Sequence, residues 1–71
     1  MFNKNLLRVK LVEANITVEA LCKHIGITIP TYYRKIQRNG DFSREEILLI
    51  AEKLRLSRED RDSIFFAQKL A

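Results

Sequence analysis

The chain has little of what usually interrupts or crosslinks a small protein: one cysteine, one proline, two glycines and no tryptophan among 71 residues. A lone Cys22 cannot close an intramolecular disulfide, so no disulfide scaffold can compensate for a small core. No apolar run approaches the roughly 18 residues of a membrane span, and no early one carries the flanks of a signal peptide. These absences set the expectation of a soluble, cytoplasmic protein without a membrane partner. Cys22 and His24 lie two positions apart and would diverge on a helix, so no metal site is expected. Neither a Ser, His and acid constellation nor a glycine-rich phosphate loop stands out, which predicts neither enzymatic activity nor a cofactor.

What is present is apolar material in helical register. Hydrophobic residues make up 46% and charged residues 31% of the chain, a composition that folds rather than one that stays disordered. One domain, residues 1–71, is expected, and at this size it buries only about 60% of the surface of its unfolded chain. Its core must be compact and regular. Leu7 and Leu11 mark a first helix over about Asn5 to Ala14, ended by Asn15. Thr17 is placed to cap a second helix, with Ile16 stapling onto Leu21 and Glu19 in the positive first turn. Gly26 follows Ile25 where a helix needs a left-handed residue to stop.

Thr28 and Pro30 then restart the helix, because proline is tolerated in a first turn whose N–H groups have no intrahelical acceptor. Tyr32 and Ile36 face the core, and Asn39 with Gly40 ends this third helix. Ser43 with Glu46 forms a capping box, and Phe42 with Ile47 a hydrophobic staple, opening a fourth helix whose buried stripe is Ile47, Ile50, Ala51 and Leu54. Ser57 with Asp60 repeats the capping-box pattern for a fifth, which carries Ile64, Phe65 and Phe66. The spacing predicts an all-α protein, a five-helix orthogonal bundle.

The net charge of +4 is unevenly placed. Up to Gly40, seven basic residues (Lys4, Arg8, Lys10, Lys23, Arg34, Lys35, Arg38) face only Glu13 and Glu19, whereas from Asp41 onward acids and bases nearly balance. A segregated positive half suits a polyanion, either nucleic acid or an anionic membrane surface, and is equally what a solvated charged face would show. The cations are not confined to one long amphipathic helix, which disfavours the membrane surface. Two short helices, Val18 to Ile25 and Ile29 to Gln37, joined by a turn over Gly26 to Thr28, form the arrangement that projects a second helix from a rigid support.

The run TVEALCKHIGITIPTYYRKIQ, with Cys22 as a small residue between helices and apolar Leu21, Ile25 and Ile27, resembles the Cro and lambda-repressor-like (XRE-type) helix-turn-helix family. The later pattern DF-S-x-x-E-I-x-x-I-A-x-x-L-x-L, from Asp41 to Leu56, and the IFF at Ile64 to Phe66 resemble its short phage-repressor subgroup. The resemblance implies a lambda-repressor-like bundle and a transcriptional regulator, repressor-like, that binds operator DNA; because one reading helix contacts only a few base pairs, a homodimer whose association DNA strengthens is expected. Val18 stands where the family often has a phosphate-binding glutamine, and Arg55 where glycine is usual; that phosphate contact is either lost or moved to Thr17.

With Tyr32 and Ile36 inward, Pro30, Arg34, Gln37 and Arg38 turn outward, flanked by Thr31 and Tyr33. An Arg fork can read guanine, Gln can read adenine, and Ile29 can lie against a thymine methyl. Lys35 and Arg38 suit phosphates. The candidate DNA contacts are therefore Thr17, Thr28, Ile29, Pro30, Thr31, Tyr33, Arg34, Lys35, Gln37 and Arg38. A helical protein-interaction module is the alternative, motivated by Leu48 and Leu49 beside the buried stripe of the fourth helix. For a dimer, the expected contacts are Phe65, Phe66 and Leu70.

Overall fold

Each helix begins at a short polar side chain that satisfies a backbone N–H the helix itself leaves without an acceptor. In the computed structural model, which describes residues 2–66, these caps open α1 (Lys4–Ala14), α2 (Val18–Ile25), α3 (Ile29–Gln37), α4 (Arg44–Leu54) and α5 (Arg58–Phe65). Asn3 Oδ1 accepts from Leu6 N at 3.0 Å, and Thr17 Oγ1 accepts from Ala20 N at 3.1 Å. Asn3 is why α1 starts a residue earlier than its apolar stripe predicts. The described residues are all-helical with no strand.

Ser43 forms the complete capping box: its Oγ accepts from Glu46 N at 3.1 Å, and its own N–H donates to Glu46 Oε1 at 2.8 Å. The box expected at Ser57 is only half made. Ser57 Oγ accepts from Asp60 N at 3.0 Å, but the shorter Asp60 carboxylate lies 3.2 Å from Lys10 Nζ and ties α5 to α1 instead. That carboxylate holds the Lys10 ammonium above its ordinary pKa, chiefly through their hydrogen bond.

Helix ends follow the residues that tolerate positive φ. Asn15 (φ 57°) and Gly26 (φ 90°) end α1 and α2 in the left-handed region, and Arg55 (φ 53°) does so for α4 without being glycine. An Arg in that conformation carries a strain that glycine would not. The core is built from Leu7 and Leu11 of α1, Leu21 and Cys22 of α2, Tyr32 of α3, Ile47, Ile50 and Leu54 of α4, and Ile64 and Phe65 of α5. Phe42, in the loop before α4, joins them. α2 packs most extensively on α4, and α3 rests on α2.

Phe2 closes the bundle from the N-terminal side. Its ring lies 6.2 Å from Phe42 and 5.8 Å from Phe65, while Asn3 N donates to Ile64 O at 2.7 Å. The start of α1 is thereby held against α5 and the α3–α4 loop. The radius of gyration, 11.2 Å, matches the roughly 11 Å that compact packing gives a chain of this length. No helix among the described residues is long and apolar enough to cross a membrane.

Candidate nucleic-acid interface

The connection between α2 and α3 is short because two donors turn back onto one acceptor. Gly26 N and Ile27 N both reach Cys22 O, at 2.8 and 3.1 Å, and Ile27 packs against the core. Gly26 makes this possible through its positive φ. Thr28 then caps α3, with Oγ1 accepting from Thr31 N at 3.3 Å and its hydroxyl donating to Thr31 Oγ1 at 2.9 Å. Among the described residues the Thr31 and Thr17 hydroxyls accept hydrogen bonds and donate none.

Tyr32 sets the roll of α3. It is only 3% exposed, in edge-to-face contact with Tyr33 at 5.3 Å and near Phe42 at 5.9 Å. Burial pushes its phenol up to about 12, so the side chain stays neutral in the core. Ile36, one turn on, is half-buried against the same cluster. The remaining positions must face out, and Ile29, Pro30, Tyr33, Arg34, Gln37 and Arg38 are all exposed, with Thr31 intermediate. Nine of the ten sequence-predicted contacts thus lie along α3 and its cap, with Thr17 at the start of α2.

Lys35 is the member of the set that is otherwise engaged. Its ammonium lies 3.4 Å from Glu46 Oε1 and donates to Asp41 O at 3.3 Å, joining the end of α3 to the start of α4. Spacing along α3 shows that Lys35 leaves the reading face; it does not show that the capping glutamate of α4 waits there. Arg34 and Arg38, by contrast, have no carboxylate partner among the described residues. The same holds for Lys4, Arg8 and Lys23. The acids of the N-terminal half do not neutralise its outward cations.

His24 is exposed on α2 with Nε2 3.1 Å from Glu52 Oε1 of α4, so it braces two helices. Cys22 is buried, and burial raises its thiol pKa. Of the side chains expected at a dimer contact, Phe65 is 8% exposed and belongs to the core, because the last turn of α5 directs it toward Phe2 and Phe42. Phe66 is 49% exposed, and Leu70 lies outside the described residues. Leu48 is also 49% exposed, while Leu49 is half-covered. Lys4 and Arg8 were not among the sequence-predicted contacts; their one-turn spacing beside the Leu7/Leu11 stripe was the available signal. No family model matches the chain, and neither a curated protein nor a solved structure matches it.

Proposed function

We propose that the protein is a sequence-specific DNA-binding regulator that docks α3 in the major groove, with a lambda-repressor-like bundle as the support. The observation that carries this reading is the outward face of α3. Arg34 and Arg38 stand exposed and unpaired among the described residues beside Gln37, Tyr33 and Ile29, while Tyr32 locks the helix from behind. Such a face offers base-reading forks and apolar contacts together, and helix α3, at nine residues, is of a size to enter the groove. Thr17 and Thr31, with a hydroxyl hydrogen each to give, suit phosphates on either side.

One helix of this length contacts only a few base pairs, too few to mark a site in a genome, so the bound form is a homodimer on an approximate palindrome. Its half-site centres are about 10 base pairs apart. A groove between α4 and α5, lined by Phe42, Arg44, Ile47, Leu48, Arg61 and Phe66, supports pairing with a second copy.

Selection from a randomised duplex pool tests the reading. Enrichment of a palindrome is the expected result. Failure to enrich any sequence would overturn it in favour of a protein-interaction module, for which exposed Leu48 and Phe66 are the supporting observation.

A further inference from the structure

Beside α3 lies a cleft of about 440 Å³ lined mainly by residues of α1 and α3, with Val18 of α2. α1 contributes Lys4, Asn5 and Arg8, and α3 contributes Tyr33 over a floor that includes Leu11 and Ile36. We propose that this cleft is a second DNA-contacting site, in which Lys4 and Arg8 hold backbone phosphates of the strand that borders the groove occupied by α3. The proposal rests on the DNA-binding reading above and adds to it a part of the surface outside the helix-turn-helix.

Three observations converge. Lys4 and Arg8 are exposed and have no carboxylate within salt-bridge distance among the described residues, although Lys10 on the same helix has two. Their charges are therefore available to an external anion. Second, the two cations are four residues apart, about 6 Å of axial rise, and so present a short cationic row rather than a single point. Successive phosphates of one strand can be met by such a row.

Third, Tyr33 belongs to both surfaces: it lines the cleft and adjoins Arg34 on the reading face, so a duplex seated on α3 brings its backbone to this cleft. Tyr33 is 50% exposed, and its phenol can donate to a phosphate oxygen while the ring covers the apolar floor. The first turn of α1, where Lys4 stands, carries no acidic residue. Lys4 at the positive end of α1 is electrostatically unfavourable in the free protein, and an anion between the helices relieves it. The open, cation-rimmed shape fits a chain of phosphates passing through.

The test compares wild type with Lys4→Gln/Arg8→Gln, which keeps polar side chains of helix-compatible shape and removes both charges, on the duplex enriched by selection. Kd is measured across salt concentrations. In the homodimer proposed above, losing two phosphate contacts per protomer, four in all, should lower the slope of log K against log salt by about 3.6 and weaken binding about 900-fold at 0.15 M salt. Cognate and single-base-changed duplexes should weaken alike. Lys4→Arg/Arg8→Lys should retain the slope, and an unchanged thermal midpoint shows that the variants are folded. Methylphosphonate substitution at phosphates flanking the α3 site should weaken wild type but not the glutamine variant. A wild-type slope in that variant, while Arg34→Ala still loses specificity, overturns the α1 site and leaves the DNA-binding reading intact. If wild type shows no salt-dependent binding to any duplex, both fall.

Discussion

Gly40 tests how the N-terminal segment is held. It sits at φ 71°, and a Cβ built on it would overlap the ring of Phe2 at Cγ and Cδ1 and come within 2.9 Å of Phe2 Cβ. Gly40→Ala therefore imposes two costs. Left-handed backbone costs alanine about 1–2 kcal/mol, of which about 0.4–1 kcal/mol is returned by the smaller entropy of the unfolded chain. The Phe2 ring must also leave its place against Phe42 and Phe65. Fully burying a Phe contributes about 1.5–3 kcal/mol, so a half-buried ring loses about 1 kcal/mol, with about 0.5–1 kcal/mol more for its aromatic contacts. The sum is about 2–3 kcal/mol, or about 13–20 °C in Tm for a domain of this size.

Gly26→Ala is the internal control, because Gly26 also has positive φ but nothing lies within 4 Å of its added Cβ. It should lose only the strain, about 1 kcal/mol. Urea denaturation followed by circular dichroism measures both. In a Phe2→Ala background the cost of Gly40→Ala should fall to that of Gly26→Ala. Equal losses for the two glycines in wild type would refute the packing of Phe2 on Gly40.

The remaining predictions address the interface and the core. Arg34→Ala should cost about 1–3 kcal/mol of binding and relax preference at one base position, measured by competition among single-base-changed duplexes. Lys35→Met, by contrast, should lower Tm through loss of the Glu46 pair, by no more than about 1 kcal/mol of stability, and should leave the salt slope of DNA binding unchanged. For Tyr32, the folded pKa is raised from 10.0 to about 12, so the neutral phenol's stabilisation is complete below pH 10 and is lost as pH rises toward 12. Lys10 also loses its charge at high pH, so the experiment belongs in a Lys10→Met background; there Tyr32→Phe should flatten the alkaline decline of stability, and an unchanged decline would contradict the burial of that phenol.

Local chemistry made the helices legible in the sequence. Thr17, Thr28, Ser43 and Ser57 announce helix starts, and Asn15, Gly26 and Gly40 mark left-handed positions. These signals act over three or four residues and need no partner from elsewhere in the chain. The outward set on α3 was legible for the same reason: once Tyr32 and Ile36 are inward, the helical period alone directs Arg34, Gln37 and Arg38 to solvent.

Whatever depends on two distant segments meeting was decided by the tertiary structure. Packing committed the Lys35 ammonium to Glu46 and drew Asp60 out of its expected capping role toward Lys10. It assigned Phe65 to the core and Phe66 to the surface, a choice between neighbours that periodicity left open. It also set Lys4 and Arg8 across a cleft from Tyr33. Long side chains have several rotamers within reach of alternative partners, and sequence spacing constrains only those on the same helix, so the pairing across helices follows from how the helices are stacked.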